Sequence, residues 1–220
     1  MNRGEEDYIK ELFKLEFQNG SEKPVSNVVI AQVFGHSPQT VSEMIKKLAA
    51  KRYIRYTPYK GSILTDRGID EALKIIKKHR IWEIFLFTKL NYKWHEIHEE
   101  AERLEHSTSD KLLERLDVFL GHPQYCPHGN PIPDKNGISA SPGIPLYEVE
   151  VGKKYVLKRV VDSLEVLMYL NKVGLKLGDK LDVVERDMMS EIFILQLYQR
   201  KIVLGFKIAK YLYVDYIGDI

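Results

Sequence analysis

Only one of the 220 residues is cysteine, so no internal disulfide can form and the thiol count fits a reducing cytoplasm. No apolar run approaches the ~20 residues that a membrane span needs, which excludes a membrane partner held by a transmembrane helix. The opening Met1-Asn2-Arg3-Gly4-Glu5-Glu6 has no apolar stretch behind it, so no signal peptide is expected there. An excess of one charge is also lacking. With 33 Lys and Arg against 31 Asp and Glu, the net charge is +2, and the whole-chain balance points to no polyionic partner. Proline is scarce outside one segment: six of the nine prolines fall between residues 121 and 145. What is plentiful is apolar side chain, 44% of the chain, enough to bury one large core or two smaller ones.

Charge that cancels overall does not cancel locally. From His36 to Lys60 the basic residues are Lys46, Lys47, Lys51, Arg52, Arg55 and Lys60, and the one acid is Glu43. Six minus one leaves a local charge of +5. Just before this patch, Val25 to Gly35 reads as a short helix that Ser26 or Asn27 caps and that Gly35 ends in a left-handed turn. A second helix then starts at Ser37, with Pro38 at its first position, and puts Val41, Met44, Ile45 and Leu48 on one apolar face. Gln39, Thr40, Ser42, Lys46 and Lys47 fall off that face, toward solvent or nucleic acid. Tyr53 to Leu64 follows as two β-prone runs around Pro58–Gly61, a hairpin with Lys60 at its tip. Helix, glycine turn, helix and hairpin in this order form a winged helix-turn-helix; its expected DNA-binding residues are Ser37, Pro38, Gln39, Thr40, Ser42, Lys46, Lys47 and Lys60, with Gln39 and Thr40 facing base edges and the lysines facing phosphates.

Beyond Thr65, a long helix is expected to about Leu90, a further one from Tyr92 to Glu105 and another from Thr108 to Leu120. Their apolar rows exceed one small core and suit a helical dimer interface. Metal-binding residue types crowd this region. His98, Glu102, Glu105 and His106 are spaced four, three and one apart, so on an α-helix they share one stripe about 100° wide. His79 and Glu83 lie one turn apart on the preceding helix. Two imidazoles beside two carboxylates on one stripe are unfavourable without a cation to hold them. The donors are oxygen and imidazole with no thiolate, which suits manganese or ferrous iron better than a structural zinc.

The proline-rich stretch reads as a stiff, irregular connection. Its His122, Cys126 and His128 offer three possible zinc ligands but no fourth, so loop packing is the expected role. From Leu146 onward, short β-rich runs at 154–161, 180–186, 192–197, 202–206 and 210–217, with a helix from Ser163 to Val173, suggest a small barrel.

Taken together, Glu6-Asp7-Tyr8, Ser37-Pro38-Gln39-Thr40-Val41-Ser42, Leu64-Thr65-Asp66-Arg67-Gly68, His79-Arg80, the run from His98 to His106, and Cys126-Pro127-His128-Gly129-Asn130-Pro131-Ile132-Pro133 closely resemble the diphtheria toxin repressor family of metal-dependent transcriptional repressors, in particular its manganese-responsive branch in Gram-positive bacteria. The resemblance covers nearly the whole chain. It implies a mainly α fold with a small β domain: a winged helix-turn-helix over 1–64, a helical metal-binding and dimerisation domain over 65–121, the proline-rich linker over 122–145, and an SH3-like barrel over 146–220.

It implies a primary metal site at Asp7, Glu102, Glu105 and His106. It also implies an ancillary site at His79, Glu83 and His98, which two barrel side chains complete; Asp162 and Glu165 occupy the matching place. It gives the Cys126 loop no metal. The implied function is a cytoplasmic homodimer that binds double-stranded operator DNA when manganese or ferrous iron is present, represses metal-uptake genes and catalyses no reaction. A metallohydrolase would leave the winged helix-turn-helix without a purpose. A repressor that answers to a small organic ligand would leave the acidic and imidazole stripe without one.

Overall fold

The computed structural model describes residues 1–19, 23–134, 137, 138, 143–161 and 163–220. It divides into two compact units, one of Met1–Lys78 with Glu105–Ser107, the other of His79–Leu104 with Thr108–Ile220.

The first unit is built on α1 (Arg3–Asn19), α2 (Asn27–Phe34) and α3 (Pro38–Ala50), followed by the hairpin β1 (Ile54–Thr57) and β2 (Gly61–Leu64). Local chemistry sets the boundaries of the central pair. The Ser26 hydroxyl accepts from Val29 N–H, Gly35 closes α2 at φ 62°, and the Ser37 hydroxyl accepts from Thr40 N–H at the start of α3. Val41, Ile45 and Leu48 of α3 are fully buried with Tyr8, Ile9 and Leu12 of α1. The hairpin pairs Ile54 with Leu64 and Thr57 with Gly61, and Val25 extends it by exchanging two backbone hydrogen bonds with Ser62.

Buried Glu16 joins α1 to this hairpin, because Leu64 N–H donates to its Oε1 at 2.6 Å. Burial pushes the Glu16 carboxyl up to about 7, and the Leu64 hydrogen bond offsets only part of that rise. A folded-state pKa above the unfolded value means the stabilising, protonated form is complete below about 4.5 and is lost as pH climbs through 7. Glu16→Gln keeps the acceptor and removes the charge. The metal-free variant should match the parent at acidic pH and exceed it by about 2 kcal/mol near pH 8 in denaturant melts. A parent profile that is flat across this range would contradict the assignment.

The helix α4 (Asp66–Lys89) follows the hairpin, and its later turns, from His79, begin the second unit. There α5 (Ile97–Leu104) is shorter than the sequence suggested. Residues 92–96 form a capping turn in which Lys93 N–H donates to Glu96 Oε2 and the Trp94 indole N–H donates to Pro127 O. At its other end the Thr108 hydroxyl donates to Leu104 O and accepts from the Trp82 indole, and Glu105–Ser107 tighten into a 3-10 turn. The helix α6 (Asp110–Phe119) then starts on the Ser109 cap.

The proline-rich stretch is not free-hanging over 126–131. Asn130 Nδ2 donates to Val160 O, Val160 N–H donates to His128 O, and the Arg80 guanidinium donates to Pro131 O. Gly129 sits at φ 78° so close to the backbone at Lys158 that a Cβ would meet Lys158 O at 2.1 Å, which only glycine tolerates.

The remaining strands, β3 (Ile144–Pro145), β4 (Lys153–Val160), β5 (Lys180–Asp187), β6 (Ile192–Leu197), β7 (Arg200–Gly205) and β8 (Leu212–Asp219), form one antiparallel sheet in the order β3-β8-β4-β5-β6-β7. The helix α7 (Leu164–Val173) lies in the crossing between β4 and β5, and the short α8 (Phe206–Ala209) between β7 and β8. Alternate residues of β6 are buried, so Phe193, Leu195 and Leu197 point into a core shared with Leu157, Leu181, Leu204 and Val214.

Candidate metal centres and DNA-binding face

The four residues expected on one helix fall on two consecutive elements. His98 and Glu102 lie on α5, while Glu105 and His106 lie on the 3-10 turn that belongs with the first unit. The 3-10 turn advances about 120° per residue where an α-helix advances about 100°.

Within the first unit, His106 Nε2 lies 3.0 Å from Asp7 Oδ1 and 3.3 Å from Glu105 Oε1. It is buried and, among the described residues, makes no hydrogen bond. The other ring nitrogen, Nδ1, is 2.6 Å from Glu6 Oε2. A carboxylate at Nδ1 fixes the tautomer in which Nδ1 carries the proton, leaving a lone pair on Nε2 aimed between two carboxylate oxygens. That donor set fits a divalent cation. Glu6 is a contributor that the sequence reading did not single out. Its signal was its place beside Asp7. Lys10, on the same helix, was missed as well: its Nζ lies 2.8 and 2.9 Å from the two carboxylate oxygens of Glu105. Glu102 sits in the last turn of α5, three and four residues before Glu105 and His106, and within its own unit Glu102 Oε1 is 3.8 Å from His98 Nε2 and 3.9 Å from His79 Nδ1.

The second unit holds the other group. Glu83 is fully buried, and its Oε1 lies 3.2 Å from His79 Nε2, 3.7 Å from His98 Nδ1 and 3.0 Å from His128 Nδ1. Burial alone raises the Glu83 carboxyl, but the facing imidazoles of His128 and His79 more than reverse this and hold it well below the usual carboxylate range. Its second oxygen, Oε2, has no hydrogen-bond partner among the described residues. Two overlapping ligand sets share this one carboxylate: His79, Glu83 and His98, and Glu83, Cys126 and His128.

The second set departs from the sequence reading, which gave Cys126 and His128 only a packing role. Anchoring of the loop by Asn130 on Val160 and by His128 Nε2 on Trp94 O brings them to Glu83. Of the two barrel ligands expected, Asp162 lies outside the described residues, and Glu165 is exposed in the first turn of α7.

The α3 face carries the expected DNA-reading residues. Ser37, Pro38, Gln39, Thr40, Lys46 and Lys60 are exposed and Ser42 is half-buried. The Ser37 and Thr40 hydroxyls are 2.9 Å apart, and Gln39 Nε2 donates to Glu43 Oε1. Lys47 is differently engaged. With Lys51 it meets the buried Glu5 carboxylate, at 3.0 and 2.7 Å. The Lys51 hydrogen bond, opposed by burial and aided by Lys47, lowers Glu5 to about 2.

Lys46→Ala or Lys60→Ala should therefore weaken DNA of any sequence and reduce the salt slope of binding by about one unit. Gln39→Ala should instead relax preference at one operator position, as read by binding to operators changed one base pair at a time. Equal losses on specific and random DNA for all three variants would mean that α3 does not read the groove.

Residues 2–62 match the description "Iron dependent repressor, N-terminal DNA binding domain", residues 65–134 match "Iron dependent repressor, metal binding and dimerisation domain", and residues 144–216 match "FeoA domain". An uncharacterized HTH-type transcriptional regulator of Methanocaldococcus jannaschii is 38% identical over 120 residues, which are 54% of this chain and 94% of that protein. The iron-dependent repressor IdeR of Mycobacterium bovis is 33% identical over 116 residues, 52% of this chain; the chain spans half the length of that repressor.

Among solved structures, a manganese-dependent transcriptional repressor in complex with manganese superposes with a TM-score of 0.87 at 32% identity, covering 97% of this chain and 100% of that one. ScaR with bound Cd2+ superposes with a TM-score of 0.86 at 38% identity, covering 97% and 99%.

Proposed function

Because this chain belongs to the iron-dependent repressor family, a family of transcriptional repressors and not of enzymes, we propose that it is a manganese-activated repressor, with ferrous iron as the alternative activator. The observation that carries this reading is the buried, unbonded Nε2 of His106 between the Asp7 and Glu105 carboxylates, with Nδ1 fixed by Glu6. Asp7, Glu105 and His106 would hold the primary cation, and Glu102 joins them by its spacing. His79, Glu83 and His98 would hold a second, with Cys126 and His128 as the competing partners of Glu83. Asp162 and Glu165 remain the proposed contribution of the sheet domain. Oxygen and imidazole donors at the primary site favour manganese or ferrous iron over softer metals. A bound dication supplies the positive charge that lets these carboxylates stay close.

What the chain does with that is mechanical. Asp7 belongs to α1, and the next residue, Tyr8, is buried, stacks on Phe34 with ring centres 4.2 Å apart, and places its hydroxyl 2.8 Å from His36 Nδ1. His36 directly precedes Ser37, the cap of α3. Holding Asp7 against His106 therefore holds the base of the recognition helix through one aromatic stack and one hydrogen bond. Leu90, Leu112, Val118 and Phe119 keep large apolar side chains exposed in the single chain, which suits burial in a homodimer on a two-fold operator. In the cytoplasm, such a dimer would repress metal-uptake genes when metal is plentiful.

The test is titration of the purified protein with manganese, and with ferrous iron without oxygen, while operator binding is followed. Operator affinity should rise steeply with either ion and return to its starting value with chelator. The same affinity with and without chelator refutes the reading.

A further inference from the structure

The cation-binding reading of Asp7, Glu105 and His106 leaves one buried charge unexplained. Lys10 is 4% exposed and Glu105 is 1% exposed. The Lys10 Nζ lies 2.8 Å from one Glu105 oxygen and 2.9 Å from the other, so the ammonium addresses both oxygens of a carboxylate that also faces His106. A lysine this deep is rare unless paired, and a carboxylate this deep is unfavourable unless its charge is matched. The two therefore satisfy each other without any metal.

The consequence for metal binding is competitive. Any dication that takes Glu105 must share that carboxylate with an ammonium or turn the ammonium away, and two cations on one carboxylate repel. Lys10 lies three residues after Asp7 on α1, so both side chains project from the same side of the helix.

We propose that Lys10 is a built-in competitor cation that sets the metal threshold of the primary site. Lys10 keeps Glu105 neutralised and the Asp7–His106 contact intact at low metal. It weakens the affinity for the dication, so the site fills only when the free metal is high. The inference rests on the reading of Asp7, Glu105 and His106 as ligands.

The test measures manganese affinity directly, by competition with a coloured chelator, for the full-length parent and for Lys10→Gln and Lys10→Arg. Lys10→Gln keeps a hydrogen-bond donor and loses the charge, and it should bind manganese about tenfold more tightly or better. Lys10→Arg keeps the charge and should stay within about threefold of the parent.

A second readout needs no metal. The metal-free Lys10→Gln protein should melt at a lower temperature than the parent, and saturating manganese should recover more of the loss than it adds to the parent. If Lys10→Gln binds manganese no better than the parent, or more weakly, Lys10 organises the ligands instead of competing with the ion, and the proposal is overturned. If the parent itself binds no manganese at Asp7, Glu105 and His106, the underlying site assignment fails first, and the two failures are told apart by the parent's own titration.

Discussion

Asp7→Ala should lower the operator affinity of the manganese-saturated protein about a hundredfold while leaving the affinity of the metal-free protein unchanged. The side chain is only half-buried, so its loss costs the fold little. What is lost is the one ligand that α1 contributes, and with it the coupling from the site to Tyr8, Phe34 and His36. Coupling works in both directions, so operator DNA should tighten manganese binding by the parent and not by the variant. Fluorescence anisotropy on labelled operator, at zero and at saturating manganese, measures all four affinities. A variant that retains the full manganese-induced gain would place Asp7 outside the ligand set and leave α1 without a link to the metal.

Glu83→Ala should have the largest effect on the second unit. This carboxylate lies within 3.2 Å of both His79 and His128, and it has no exposed surface. Alanine removes the shared acceptor of two buried imidazoles and opens a cavity between them. In metal-free protein the loss should be about 3 kcal/mol, read as a shifted midpoint in denaturant. The same change should reduce bound manganese by one ion per chain, because both possible ligand sets in this unit contain Glu83. Glu83→Gln preserves volume and one acceptor, so it should recover part of the stability and none of the stoichiometry. Metal content after exhaustive dialysis separates the two losses, and two full ions per chain in either variant would exclude Glu83 as a ligand. Single alanine substitutions at His98 and at His128 then report which partners Glu83 uses, since only the partners in the occupied set should lower affinity.

Much of the architecture follows from residues close to one another in the chain. Ser37 and Pro38 start α3, Gly35 ends α2 at a positive φ that few side chains tolerate, and the one-in-two burial of Ile192–Leu197 marks a strand with one face on a core. These features act over a few residues through caps, steric limits and periodicity, and such local physics survives in a bare sequence. The metal-binding residue types were legible for the same reason, since His98, Glu102, Glu105 and His106 stand at helical intervals.

How those residues sort into sites was decided by contacts that no local rule encodes. Thr108 binds Leu104 O and the Trp82 indole where α5 ends, and Glu105 and His106 follow on a 3-10 turn. Glu6 meets His106 across 100 residues, Lys10 meets Glu105 across 95, and His128 meets Glu83 across 45. Each of these pairs is held by burial, which makes an unmatched charge or donor costly and so selects one partner among many of the same chemical type. The sequence therefore determined which ligand chemistry is present and which helix carries the small polar first turn. Only the packed chain decided that a lysine stands beside the primary carboxylate and that a histidine from the proline-rich loop faces the buried Glu83, because desolvation acts on side chains that tertiary folding alone brings together.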